Sequence, residues 1–273
     1  VRALPGVTQV RAGLDDPARL EEAFAGCEAV AQCAGINREI GSATYRSVHV
    51  DGTRAVVAAA ERAGVRRLAI VSFFRARPGT GSPYHDTPWE AEEIVRASPL
   101  DWTVLKPGMM YGRGDHMLDH LSKALMTFPV YVGIGNRKVR PLAIDDAVRV
   151  LGAALVDGRL PRKTVALLGP TELSFDEAAR LVAKAIGKRR LFLRAPIAFH
   201  YLLARVSEAL MSVPLIARAQ VRMLEEEFVE ATRAPDHLPD DLMPKVGFDE
   251  ASIRAGLPPR LERFGRADLL RRR

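Results

Sequence analysis

The chain has 273 residues, 48% of them hydrophobic, enough for one sizeable α/β domain with a smaller appendage. Its net charge of +7 comes from 40 basic and 33 acidic residues, and all but seven of the basic ones are arginine. The charges are mixed along the chain except at Arg189-Arg190 and Arg271–Arg273, and neither a reader helix nor an aromatic platform accompanies them. The basic balance therefore reads as a solvated arginine-rich surface, with no nucleic-acid partner expected. Cys27 and Cys33 are too few and too close to make a disulfide framework, which points to a reducing compartment. The most apolar run, Ala195–Ile216, carries Arg205 and Glu208 and is interrupted by Pro214, whereas a span needs about 20 largely uncharged residues. No membrane span and a cytoplasmic location are the expectation.

Val7–Arg11 alternates like a strand, and Asp16 with Pro17 is placed to cap a short helix carrying Leu20, Ala23 and Phe24. Ala29–Cys33 reads as a buried strand ending in Ala34-Gly35. A long helix is predicted over Tyr45–Ala63, closed by Gly64. The central stretch follows: a strand at Leu68–Val71, a loop punctuated by Pro78, Gly79, Gly81 and Pro83, a helix at Glu90–Arg96, and a strand at Trp102–Leu105. Two strands joined through a helix lie parallel in one sheet, and ligands of such sheets sit beyond the strands' carboxyl ends. Ser72, Tyr84 and the Pro107-Gly108 turn are therefore expected to face one crevice.

Further on, a helix is predicted over Asp115–Thr127, a strand at Pro141–Ile144, a helix capped by Asp145 or Asp146, a strand at Thr164–Leu168, and a helix opened by the Ser174–Glu177 capping box. Beyond Leu193 the rhythm changes to two apolar-striped helices, Pro196–Ser212 and Leu215–Val229, and a short helix near Asp249–Ala255. The fold class expected is α/β, a doubly wound, mostly parallel Rossmann-like sheet with a small helical carboxyl-terminal region. The division expected is residues 1–190 for cofactor and 191–273 for a substrate or lid region.

Lys106-Pro107-Gly108-Met109-Met110-Tyr111-Gly112 and Arg140-Pro141-Leu142-Ala143-Ile144-Asp145-Asp146 are distinctive in order and spacing. They resemble the Arg-Pro-Gly-x-x-Tyr-Gly turn and the Gln-Pro-Val-His-Val-Asp-Asp strand and cap of the short-chain dehydrogenase/reductase superfamily, in its extended and atypical NAD-dependent epimerase/dehydratase type. Val48–Thr53 is similar to the family's Asn-Val-x-Gly-Thr segment, with His49 at the Asn position. The resemblance implies a bound NAD or NADP and a small-molecule substrate, with a homodimer as an option. It implies cofactor contacts from Gly13 and Leu14, from the small-residue turn Cys33-Ala34-Gly35, and from Lys106, Pro107, Gly108 and Met109. It also implies Tyr84 as proton-transfer residue with Ser72 as its hydrogen-bonding partner. A phenol has a free pKa of about 10, so near neutral pH it needs a lysine ammonium one helical turn away.

The chain departs from that pattern in several places. The Asp of the family's Gly-Asp-Leu, which meets the adenine, is replaced by Gly13. Phe73 stands where a second Ser is common, and Pro88 stands where Tyr-x-x-x-Lys requires the Lys. His85 is adjacent to Tyr84, but neighbours on a helix point to different faces. No Gly-x-x-Gly-x-x-Gly turn precedes Val7, so the first βαβ unit is partly missing. The expectation is a fragment, a mis-assigned start or a decayed copy, with weak or absent dinucleotide binding if Val1 is the true start. Three readings stand: an oxidoreductase or epimerase/dehydratase working through Tyr84 and Ser72, a non-catalytic dinucleotide sensor or assembly factor, or a truncated inactive chain. His116 and His120 lie at i and i+4, a spacing that holds a divalent metal, but the zinc-protease Glu is lacking and capping explains the neighbouring Asp residues; no metal is expected.

Overall fold

The computed structural model describes residues 5–37, 39–133, 137–211, 221 and 234–265. In chain order its elements begin with α1 (Pro17–Phe24), β1 (Ala29–Gln32), a π-helical turn (Arg46–Asp51), α2 (Gly52–Arg62), β2 (Arg67–Val71), α3 (Pro83–Ala97), β3 (Asp101–Pro107) and β4 (Met110–Tyr111). There follow α4 (His116–Thr127), β5 (Val130–Gly133), β6 (Lys138–Val139), β7 (Leu142–Ala143), α5 (Ile144–Leu155), β8 (Lys163–Leu167) and β9 (Leu173–Ser174). The last are α6 (Phe175–Ala185), β10 (Leu191–Arg194), α7 (Ile197–Leu210), a 3-10 turn (Asp240–Leu242) and α8 (Glu250–Gly256). The predicted helix Leu215–Val229 lies outside the described residues.

Two compact units interleave along the sequence. The first takes described residues from 1–107, 148–167 and 230–243; the second takes those from 108–147, 168–229 and 244–273. This partition by packing differs from the division at residue 190, which rests on the change from alternating strands and helices to a mostly helical run.

The first unit is built on a four-stranded parallel sheet in the order β1-β2-β3-β8. Parallel strands are covered on both faces and so read as continuous apolar runs. Leu68, Ala69 and Ile70 of β2 and Val104 and Leu105 of β3 are buried accordingly. The α2 stripe Val56, Val57, Ala59 and Ala60 packs with Leu20 of α1 and Val95 of α3 against Val30, Leu68 and Val104. Gly64, at φ 72°, ends α2 in a left-handed conformation that a side chain would strain.

In the second unit β4 pairs parallel with β7, β5 parallel with β10, and β6 antiparallel with β9. Its core joins Leu118 and Leu125 of α4, Val182 of α6, and Phe248 and Ile253 around α8. The capping box of α6 forms as predicted, with Ser174 and Glu177 each accepting from the other's backbone N–H. Among the described residues no helix is long and apolar enough to cross a membrane.

Four predicted elements need correction. Val7–Arg11 is not a strand; Val7 and Val10 are about half exposed, and no described strand lies beside the segment to complete a ladder. The Tyr45–Ala63 helix opens with a π-helical stretch, in which the Gly52 N–H reaches back five residues to the Ser47 carbonyl. Helix α3 begins at Pro83, seven residues earlier than predicted, and runs through Pro88. Proline at the first helical position costs nothing because its N–H would be an orphan there, and burial of Ala91, Glu92 and Val95 carries the helix past Pro88. Lastly, α5 begins at Ile144, so Asp145 and Asp146 lie in its first turn and not at its cap. Asp146 instead accepts the backbone N–H groups of Lys245 and Val246, each at 2.8 Å.

Candidate cofactor and proton-transfer site

The carboxyl ends of β1, β2 and β3, together with the first turn of α3, position most of the predicted residues. Parallel pairing brings these strand ends to one side of the sheet, and two loop hydrogen bonds fix them. Ser72 N–H donates to the Leu105 carbonyl at 2.8 Å, and Phe74 N–H to the Pro107 carbonyl at 3.0 Å. The loop after β2 is thereby tied to the end of β3.

Tyr84 is the second residue of α3 and is half-buried. Its ring sits edge-on to Phe73 (centroids 5.1 Å), His85 (5.2 Å) and Tyr45 (5.9 Å). The contact with His85 corrects the expectation that adjacent helix residues diverge. At a helix N-terminus the two rings fold toward each other, each meeting Phe73 as well. Pro88, one turn on, has no N–H to give to the Tyr84 carbonyl.

Ser72, the expected partner of Tyr84, and Lys106, an expected cofactor contact, both bond to Glu92. Ser72 Oγ donates to Glu92 Oε1 at 2.5 Å. Lys106 Nζ donates to Glu92 Oε1 at 2.8 Å, to Glu92 Oε2 at 3.1 Å and to the Ala76 carbonyl at 3.1 Å. Arg96 completes the cluster with a 2.6 Å bond to Glu92 Oε2, and both cations lie over the Trp89 ring, at 5.4 Å and 5.3 Å. Glu92 and Lys106 are essentially inaccessible, at 0% and 1% exposure. Glu92 follows Tyr84 by eight residues, about 12 Å of helix rise.

Glu92 was not singled out from the sequence, although a signal existed. A lysine between the apolar Leu105 and Pro107 of a buried strand requires a counter-charge, and the acidic residues nearest on the crossover helix are Glu90, Glu92 and Glu93. Only the one sharing the Ala91 and Val95 side of the helix is buried.

His49, in the π-helical turn, links two parts of the site. Its Nε2 accepts the Ile36 N–H at 3.1 Å, and its Nδ1 lies 2.9 Å from Thr87 Oγ1. The Thr87 hydroxyl donates to the Pro83 carbonyl at 2.6 Å. Thr87 Oγ1 is therefore the acceptor for His49, and the bonding pattern sets the neutral Nδ1–H tautomer. Burial also lowers the His49 pKa below its ordinary 6.5.

Cys33, Ala34 and Gly35 are exposed beyond β1, and a Cβ placed on Gly35 would meet only His49 Nε2, at 3.7 Å. The backbone face there is open to the close approach of a ligand group. Leu14 packs its side chain on Gly52 of α2, where a Cβ would come within 2.7 Å of Leu14 Cδ1. Gly13 is exposed beside it, accepting the Asp16 N–H at 3.2 Å. The N-terminus of α1 is taken by Asp16, whose carboxylate accepts the Arg19 N–H at 3.1 Å, so this helix end does not offer a phosphate site. The exposed backbone of Gly13 and of Cys33–Gly35 is compatible with the close approach of a ligand, and a pyrophosphate cradle is not among these residues. Gly108 and Met109 open the second unit, where the Met109 carbonyl accepts the Leu142 N–H at 2.8 Å. In the same unit Asp115 caps α4 through the Leu118 N–H at 2.9 Å, and His120 packs edge-on to Phe264 at 5.2 Å.

Residues 1–123 match the family model described as NAD(P)H-binding. The mitochondrial 40 kDa subunit of NADH-ubiquinone oxidoreductase from Neurospora crassa is 23% identical over 232 residues, which cover 84% of this chain and 60% of that subunit. The chain thus spans about three fifths of the length of this relative. Among solved structures, the NADPH-dependent quinone oxidoreductase QOR2 of Escherichia coli, complexed with NADPH, superposes with a TM-score of 0.66 at 20% identity, covering 90% of this chain and 83% of that one. MoeE5 in complex with UDP-glucose and NAD gives a TM-score of 0.66 at 17% identity, covering 93% and 86%. With the parallel sheet order, these matches show a Rossmann-like fold, and residues 1–123 are similar to NAD(P)H-binding domains.

Proposed function

We propose that this protein binds a nicotinamide dinucleotide without running the superfamily's tyrosine–lysine proton relay. One observation carries the reading: Ser72 and Lys106 are both bonded to the buried Glu92. A lysine that lowers a tyrosine pKa must present its ammonium to the phenol's surroundings. Lys106 instead neutralises a carboxylate two helical turns away, and Pro88 occupies the place of the usual lysine.

In this reading Cys33, Ala34 and Gly35 receive the ribose, and Pro107 bounds the nicotinamide side from the end of β3. Gly108 and Met109 continue that turn, and Gly13 with Leu14 offers backbone contact toward the adenine. When bound, the nicotinamide supplies or accepts a hydride. The chain's own contribution is orientation and exclusion of water by the Tyr45, Phe73 and Tyr84 rings. The outcome is a dinucleotide-sensing or assembly role, or reduction of an acceptor that takes its proton from solvent.

A second reading keeps Tyr84 as the proton donor, favoured by its 5.2 Å ring contact with His85, a titratable neighbour in place of the missing lysine. Single-turnover hydride transfer from NADH and from NADPH to a quinone such as menadione separates the two and tests cofactor preference. The proposal expects dinucleotide binding, with any hydride transfer unchanged within about twofold in Tyr84→Phe. A loss of about a hundredfold or more, the usual range for removing a general acid, would establish the second reading. Absence of binding to either dinucleotide would overturn both.

A further inference from the structure

We propose that His49 is a positioning residue that clamps the cofactor-facing loop after β1 to helix α3, and that it does so only as a neutral imidazole, so that dinucleotide affinity falls on acidification. The inference rests on the dinucleotide-binding reading above. Its ground is the geometry of one side chain. The imidazole donates from Nδ1 to Thr87 Oγ1 at 2.9 Å and accepts at Nε2 from the Ile36 N–H at 3.1 Å. Ile36 directly follows the exposed Cys33-Ala34-Gly35 backbone, and Thr87 lies on the helix turn after Tyr84. One ring therefore holds both walls.

Protonation cannot be absorbed by turning the ring. The Thr87 hydroxyl already spends its hydrogen on the Pro83 carbonyl, so it remains an acceptor for Nδ1–H. A second proton would have to go on Nε2, directly opposite the Ile36 N–H, and two donors facing at hydrogen-bond distance repel. The contact with Ile36 would then open and release the loop. Burial of the ring, 9% exposed, works in the same direction because it disfavours the charged form.

The surroundings do not counteract this. On its own turn the neighbours are Tyr45, with ring centroids 5.8 Å away, and Arg46 and Asp51, which are paired with Glu90 and Arg54 respectively, each at 3.2 Å. On the loop side Cys33 is a thiol, and Glu39 is bonded to the Tyr45 N–H at 2.8 Å. On the first turn of α3 the titratable groups are Tyr84, His85 and Asp86, while Glu90, Glu92 and Glu93 further along are bonded to Arg46, to Lys106 and Arg96, and to Arg96. Burial raises the Asp86 pKa, but the hydrogen bonds from Thr80 and Gly81 outweigh it and leave the net shift downward. No carboxylate is bonded to the imidazole among the described residues.

The test uses the full chain. Calorimetric titration with NAD+ and NADP+ from about pH 8 to about pH 5 is run on the native protein, His49→Asn and His49→Leu. Asparagine offers one donor and one acceptor and does not titrate. The native protein should lose affinity below about pH 6.5, by up to about tenfold per pH unit. His49→Asn should bind with a flat profile, and His49→Leu should bind weakly throughout. A profile in His49→Asn matching the native one would assign the titration to another group, such as His85, and overturn the proposal. Amide exchange at Ile36 in the protein without ligand provides an independent readout. Protection should fall on acidification in the native chain, persist in His49→Asn and be absent in His49→Leu. Binding that is intact while Ile36 protection ignores His49 overturns this inference alone. No binding in any form at any pH overturns the dinucleotide reading, and the clamp's role in binding with it.

Discussion

The two halves of helix α3 use the same backbone for opposite purposes. The first turn carries Tyr84, His85 and Thr87, and meets the rings of Phe73 and Tyr45 and the imidazole of His49. The rear half carries Glu92 and Arg96, sealed against Lys106, Ser72 and Trp89. Tyr84 is half-buried and built from π-surfaces, whereas Glu92 is fully buried and built from charge. The serine after β2 that a tyrosine-based relay would recruit belongs to the rear half, together with the lysine at the end of β3. Tyr84 and Ser72, paired as one catalytic set in the sequence reading, are divided in space between an aromatic first turn and a buried electrostatic core.

Removing the buried charge tests that division most strongly. Glu92→Gln leaves Lys106 and Arg96 facing a neutral amide in the interior, and breaking a buried pair costs about 3–5 kcal/mol. Chemical denaturation should read a loss of that order. A loss under about 1 kcal/mol would place the carboxylate in contact with water and weaken the contrast between the halves. Pro88 marks the junction. Replacing it with Ala restores a backbone donor for the Tyr84 carbonyl and removes a helix-interior proline, so stability should rise by up to about 3 kcal/mol. A neutral result would mean that the first turn is already bonded in another way. Pro88→Lys at the same position asks about chemistry: if the first half lacks only its lysine, hydride transfer should appear or rise in this variant.

The third test is pH. The folded-state pKa of His49 lies below its ordinary 6.5, so the neutral form is favoured by folding. Its contribution is complete above about pH 6.5 and is lost as pH falls through the folded value. Thermal melting of the native chain should therefore show an acid-side decline that His49→Asn reduces. The smallest effect belongs to Tyr84→Phe. Removing a hydroxyl from a half-buried ring while keeping its edge contacts should change stability by about 0.5 kcal/mol or less. A larger loss would reveal Tyr84 as part of the framework.

How much of this was readable beforehand differs from element to element. The parallel pairing of β2 with β3 followed from a strand–helix–strand order, and Asp16, Asp115 and Ser174 cap their helices because short-range hydrogen bonds need only local sequence. Helix α3 starts seven residues before the predicted position because Pro83, read as loop punctuation, is favourable at a helix start, and Pro88 inside the helix is tolerated through burial further along. Val7–Arg11 has the alternation of a strand, but a strand exists only beside another one. The parallel pair of β5 and β10 was not foreseen, because its partners stand far apart in sequence and carry no periodic signature.

The sequence by itself determined the Rossmann-like fold class, the helix caps, the small-residue turn after β1 and the candidate identity of Tyr84. These depend on residue type at short spacing, where backbone geometry and local hydrogen bonds dominate. Tertiary structure decided which side chains work together. Lys106 and Glu92 are 14 residues apart, Ser72 and Glu92 are 20, and His49 and Thr87 are 38. Charges and hydrogen bonds act over a few ångströms of space, and only folding brings such pairs within that range.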